Sequence, residues 1–144
     1  QGFSRAISTA WREMDEATGH EPFDSCPVWL RYLTKSEVRY HEARGYTRLG
    51  DTNRAVELFE AMERGAAGRN AVFYRAGKAA TLASGGDITG AINEGLPVLA
   101  DLADGMSSPR TVKILEPIRN AARDLPAATE FRDRYDELTR SVGK

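Results

Sequence analysis

Apolar side chains along this chain recur three and four residues apart rather than at every second position, and Gly, Asp, Ser and Pro punctuate the runs. That spacing predicts helices throughout and no strand. Ala6, Ile7, Ala10, Trp11, Met14 and Ala17 mark a first helix closed by Gly19. "GHEPFDSCP" reads as a loop, and "PVWLRYL" as a short helix with Pro27 in its first turn. Thr34 opens "TKSE", an S/T-x-x-E capping box in which Glu37 reaches back to the helix start. The helix that follows carries Val38, Ala43, Tyr46 and Leu49 and stops at Gly50.

Asp51 or Thr52 is placed to cap the next helix, whose inward stripe is Ala55, Val56, Leu58, Phe59 and Met62; Gly65 and Gly68 close it. From about Arg69 to Ala83, Val72, Phe73, Ala76, Ala79, Ala80 and Leu82 offer a packing surface. Gly85-Gly86 then breaks the chain, Asp87 caps, and a helix is predicted over 88–103, with a bend at Gly95 and Pro97. Ser108 and Pro109 suit the start of another helix, bearing Val112, Ile114, Leu115, Ile118 and Ala122 and a second bend at Pro117. The last helix turns Phe131, Tyr135 and Leu138 inward. Helices of this length joined by short loops are the pattern of antiparallel helical hairpins.

The totals narrow the function. The 144 residues suit one domain, and 41% hydrophobic with 28% charged residues is enough for a packed core. A net charge of −1 and a pI near 6.2 lack the basic excess of a domain that grips a nucleic-acid backbone unaided. No run approaches the roughly 18 apolar residues of a membrane span. The single cysteine, Cys26, rules out an internal disulfide and suits a reducing, cytoplasmic setting. The chain opens on Gln1 with helical spacing already under way, which predicts a piece cut from a longer protein.

The helices also repeat. Ala43, Tyr46, Gly50, Asp51, Ala55, Val56 and Phe59 fall, 36 residues on, upon Ala79, Leu82, Gly86, Asp87, Ala91, Ile92 and Gly95. A third register gives Leu115, Ile118, Ala122, Ala127, Ala128 and Phe131, without the Gly-Asp. The logic of the signature is steric: alanines let paired helices approach, glycine permits a left-handed helix exit, and aspartate caps the next helix. A hairpin that cannot bury its apolar side alone must stack on its neighbours.

With Ala43, Tyr46, Gly50, Asp51, Ala55 and Phe59 at that motif's usual places, the chain resembles the tetratricopeptide repeat. The second copy has Gly95 where an aromatic is usual. The resemblance implies an all-α fold: a short right-handed α-solenoid of about seven helices. Its units are 1–34 and then hairpins over 35–68, 69–106 and 107–144. "PVWLRYL", "RLGDTNRAVELFEAM", "GDITGAINEGLPVL" and "SSPR…VKILEPI" together resemble the C-terminal repeat region of actinobacterial regulatory proteins, which commonly carry a helix-turn-helix domain ahead of such repeats. By that likeness the chain is the sensor or interaction part of a cytoplasmic transcriptional regulator.

Residues that carry chemistry are sparse. "HEARG" at 41–45 begins like a zinc-protease helix motif, but Gly45 stands where the second histidine must be. His20 and Cys26 have no partners at ligand spacing, and no phosphate loop or nucleophile elbow is present. "GAAG" at 65–68 follows a helix and reads as its stop. The pairs Asp15/Glu16 and Asp101/Asp104 read as solvated surface. The expectation is therefore no enzyme, no metal and no cofactor.

A concave surface is the alternative to a catalytic centre. In tetratricopeptide repeats the first helix of each pair lines the groove, and register carries that onto Glu37, Tyr40, Arg44, Thr47 and Arg48 of the first copy. The second contributes Phe73, Ala76, Ala80 and Ala83, with Asn70 and Lys78 near the edge; the third contributes Val112, Glu116, Arg119 and Asn120, with Arg110 close by. Aromatics and cations over an alanine floor suit a peptide, a protein or a small effector of acidic character. The bland reading of the same residues is that Arg and Glu pair across adjacent helices while Phe73 packs in the core. Arg44 and Ala80 stand where chaperone-tail receptors of this family have asparagines, so that role is not expected. The second class of function is structural: self-association as a homodimer, or scaffolding, through Phe3, Ile7 and Trp11. Neither class requires this chain to touch nucleic acid or membrane.

Overall fold

The computed structural model describes residues 5–9, 11–12, 35–106, 108–121 and 125–142. Six helices follow one another: α1 (Lys35–Leu49), α2 (Thr52–Arg64), α3 (Gly68–Ser84), α4 (Ile88–Ala103), α5 (Pro109–Ala121) and α6 (Pro126–Val142). Residues 5–9 and 11–12 are helical as well. Among the described residues there is no strand, so the fold there is all-α. The Thr34 capping box, the helix at Pro27, Phe3, His20, Cys26, the Asp15/Glu16 pair and Ala122 lie outside the described residues.

Two joints show why the Gly-Asp signature recurs. Gly50 is left-handed at φ +84°; its N–H donates to the Thr47 carbonyl at 3.2 Å and the Asp51 N–H donates to the Tyr46 carbonyl at 3.0 Å. Those two bonds close the end of α1 as a Schellman motif. Asp51 also starts α2, its Oδ1 accepting from the Arg54 N–H at 3.4 Å. The second joint repeats the device. Gly86 has φ +94°, its N–H and that of Asp87 donate to the Ala83 and Leu82 carbonyls at 3.0 and 2.9 Å, and Asp87 Oδ1 accepts from the Gly90 N–H at 2.8 Å. One aspartate thus ends one helix and begins the next. At α5, Ser108 Oγ accepts from the Thr111 N–H at 3.4 Å, with Pro109 at the first helical position. Helices α4 and α5 run unbroken through Pro97 and Pro117.

Each helix packs on the next, and α3 also packs on α5 and α4 on α6. Ala43, Ala55, Ala79 and Ala91 are fully buried, as close helix approach demands. In the third copy the small contact slips by one residue: Ala127 is exposed and Ala128 is buried. The larger core gathers Ile92, Leu99, Leu102, Leu115, Ile118 and Phe131 from α4, α5 and α6 against Val72, Ala76 and Ala79 of α3. A smaller one holds Ala43, Phe59 and Met62. Leu49 departs from the predicted inward stripe: at the last position of α1 it is 58% exposed.

Two glycines inside helices make room for aromatic rings. A Cβ on Gly77 would collide with the ring of Phe59, coming within 2.8 Å of Cδ1 and Cζ, and one on Gly95 would lie 2.6 Å from Cε2 of Phe131. Gly95, which stands in the second copy where the first has Phe59, is therefore filled from outside, by Phe131 of the third copy.

Candidate functional site

Helical spacing brings one face each of α1, α3 and α5 to a common cleft of about 470 Å³. Arg44, Thr47 and Arg48 supply the α1 wall; Gly77, Ala80, Thr81, Ala83 and Ser84 the floor; Ile114, Pro117 and Ala121 the α5 wall. A second, adjoining cleft of about 520 Å³ lies along α1, lined by Tyr40, His41, Arg44, Gly45, Arg48 and Leu49. Arg44 and Arg48 line both, as a ridge between them. No aspartate or glutamate lines either cleft among the described residues.

Beneath the ridge the polar atoms are ordered. Thr47 Oγ1 donates to the Ala43 carbonyl at 3.0 Å and lies 2.9 Å from Thr81 Oγ1. A hydroxyl has one proton, so Thr81 is the donor of the second bond. Thr81 is 2% exposed, and this bond keeps its hydroxyl from being buried without a partner.

At the other end of the same three helices, the Tyr40 and Phe73 rings stand 5.1 Å apart, with the Arg110 guanidinium 4.0 Å from the Phe73 centroid and 5.4 Å from that of Tyr40. Tyr40 also meets Phe59 and His41 edge-on, at 6.2 and 5.6 Å. Contacts of this kind are worth about 0.5–1 kcal/mol at exposed sites. Arg110 thus ties α5 to α3 and α1, while Phe73, 8% exposed, serves packing more than recognition.

The residues expected on the groove are divided by the structure. It joins Arg44, Thr47 and Arg48 with Ala80 and Ala83 in the first cleft, and Tyr40, Phe73 and Arg110 in the aromatic cluster. Glu37, Asn70, Glu116 and Asn120 are exposed and line neither cleft. Ala76 and Val112 are core residues. Lys78 is corrected: its Nζ pairs with Glu94 Oε1 at 3.2 Å and Glu60 Oε2 at 3.4 Å. One residue beyond Gly77 is about 100° round the helix, which turns it to α2 and α4. Arg75 joins there, its Nε 3.0 Å from Glu94 Oε2. Arg119 is likewise committed, its Nε and Nη2 donating to the two Asp136 oxygens at 3.1 and 3.2 Å. His41, Gly45, Gly77, Thr81, Ser84, Ile114, Pro117 and Ala121 were not anticipated. Continuing the three-and-four spacing from Ala80 would have reached Gly77, Thr81 and Ser84.

The paired groups titrate accordingly. Burial works to raise the Glu94 carboxyl, but hydrogen bonds from Lys78 and Arg75 outweigh it and hold it below the ordinary glutamate value. Burial likewise opposes charge on Lys78, and the Glu94 and Glu60 carboxylates more than reverse this, so it lies above its ordinary value. The hydrogen bonds from Arg119 keep Asp136 low. Burial, then the Glu116 charge, pushes the Tyr135 phenol up.

Among the described residues no three His, Cys, Asp or Glu side chains are grouped so as to hold a metal ion, and no helix is long and apolar enough to cross a membrane. No family model, no curated protein and no solved structure matches this chain.

Proposed function

We propose that the chain is a binding module whose α1–α3–α5 cleft holds a partner, built as a short right-handed solenoid of the tetratricopeptide kind. The observation that carries this is the cleft itself, which has two arginines, two hydroxyl side chains of threonine and a floor of small residues, with no carboxylate among its described lining residues. The repeated Gly-Asp joint and the packing of α3 on α5 and α4 on α6 support the stacked reading. On the sequence resemblance alone, the parent is a bacterial transcriptional regulator, and this part is its sensor or interaction module. Occupancy of the cleft would change how α1 and α5 sit on α3 and so bias the rest of the protein.

Peptides selected from a random library on the intact chain test the cleft. Ala80→Arg, on its floor, is expected to weaken the selected binders at least tenfold, while Asn93→Arg on the exposed side of α4 leaves them unchanged. Binders that respond to Asn93→Arg and not to Ala80→Arg would overturn the assignment. A second reading, self-association, has the exposed Leu49 beside the Tyr40–His41 cleft in its favour. Sedimentation over a concentration series decides it: a mass that stays at one chain removes that reading.

A further inference from the structure

We propose that the cleft reads an acidic residue within an extended peptide. Its carboxylate lies between Arg44 and Arg48, and the backbone N–H that follows it is donated to the Thr47 hydroxyl. This rests on the cleft being the binding surface and adds the chemistry of what is bound.

Three observations lead there. Arg44 and Arg48 stand one turn apart on α1 and neither has a carboxylate partner among the described residues, whereas Arg75, Lys78 and Arg119 all do. Like charges at that spacing repel, and an anion between them removes the repulsion. Second, two guanidinium groups reaching one site suit a planar two-oxygen acceptor, which each can meet with charge-assisted bonds. Third, the threonine protons beneath the arginines are spent: Thr81 donates to Thr47, and Thr47 to the Ala43 carbonyl. One lone pair is left on Thr47, so at that point the floor accepts and does not donate. A ligand that satisfies this cleft must bring an acceptor pair and a donor side by side. A peptide supplies both within one residue. The small floor at Gly77 and Ala80 leaves space for an extended backbone.

The test is a titration of the full ¹⁵N-labelled chain with acetyl-Ala-Ala-Glu-Ala-Ala-amide. Its Gln counterpart, the form N-methylated on the alanine after Glu, and inorganic phosphate are run in parallel. The Glu peptide is expected to shift the side-chain Nε–H signals of Arg44 and Arg48 together with the amides of Thr47 and Ala80. The Gln peptide should bind about tenfold more weakly and the N-methyl form about fivefold more weakly. Thr47→Val should erase the difference between parent and N-methyl peptides, and Thr47→Ser should restore it, which separates the contact from any effect on folding. Equal binding of Glu and Gln peptides, equal binding of the N-methyl form, or no shift at several millimolar overturns the proposal. Phosphate binding as tightly as the Glu peptide also overturns it, leaving a simple anion site. Ala80→Arg separates the two levels: if peptide binding survives it, the cleft is not the surface at all. If Ala80→Arg abolishes binding but Glu and Gln peptides are equal, only the acidic specificity fails.

Discussion

Helix α3 has charged neighbours on two sides, and the two sides are built to different rules. Towards α2 and α4 it presents Arg75 and Lys78, and both are met by carboxylates, Glu94 between them and Glu60 beyond. Towards the cleft it presents Gly77, Ala80, Thr81 and Ser84, and the charges there come from α1, as Arg44 and Arg48, which pair with no acid among the described residues. Charges on the first side are neutralised within the fold and hold helices together. Those on the second contribute nothing of that kind, and their cost to α1 is left standing. Stability and binding are thereby separable along one helix, and substitutions on the two sides are expected to behave differently.

The largest effects belong to the packed side. Phe59→Ala removes a ring that is 1% exposed and rests on Gly77, and is expected to cost about 3–5 kcal/mol by denaturant unfolding. Gly77→Ala approaches the same contact from α3. Its Cβ meets the fixed ring, so overpacking of about 1–3 kcal/mol exceeds the roughly 1 kcal/mol gained in helix propensity. The pair Phe59→Leu with Gly77→Ala should recover part of that loss, since the smaller side chain leaves room. A double variant no better than the singles' sum would show that the contact is not what makes Gly77 necessary.

That contact also marks where the sequence stops being legible. The Gly-Asp joints were readable because their chemistry is local: a left-handed glycine and an aspartate capping three residues on need no knowledge of the rest of the fold. The buried alanines followed from the repeat, and α4 spans 88–103 as its spacing and cap predict. Gly77 and Gly95 were not readable, because their partners, Phe59 and Phe131, arrive from other helices. Lys78, expected near the edge of the groove, pairs with Glu60 and Glu94 instead, and its rotation was illegible for a related reason. Helix α3 buries residues around most of its circumference, Val72, Phe73, Ala76, Gly77, Ala79 and Thr81, so no single apolar stripe sets its rotation. The side of α1 that bears Arg44, Thr47 and Arg48 was legible because α1 is half exposed and register alone orients it.

An intermediate effect tests the paired charges. Glu94→Gln replaces the carboxylate that Arg75 and Lys78 share by a neutral amide and is expected to cost about 1–2 kcal/mol at neutral pH. The pH dependence fixes its origin. Glu94 is held below its ordinary value of 4.5, so its contribution is complete above that value and disappears as pH falls through the lowered one. Lys78 is held above its ordinary 10.5, so the same pair weakens again only as pH rises through that raised value. The difference in thermal midpoint between wild type and Glu94→Gln should therefore be flat across neutral pH and close in acid. A difference that persists unchanged at low pH would mean that the substituted amide is badly packed rather than that an ion pair was lost.

The smallest effect is the one on which the comparison turns. Arg44→Ala with Arg48→Ala removes two charges that no described acid neutralises, so no ion pair is broken. Relief of their repulsion stabilises α1 by roughly 0.2–0.5 kcal/mol, and alanine's higher helix propensity adds a few tenths more. Against this stands the carbonyl end of α1, which favours Arg48 in the last turn by a similar amount, about 0.3–1 kcal/mol at low salt. The double variant should therefore unfold within about 0.5 kcal/mol of wild type, and raising the salt should move the two together, because both charge effects in that balance are screened. A loss above about 1 kcal/mol, independent of salt, would mean that the arginines hold the helices through their aliphatic stems. The two sides of α3 would then be alike, and the cleft would lose the feature that makes it a place for something else to bind.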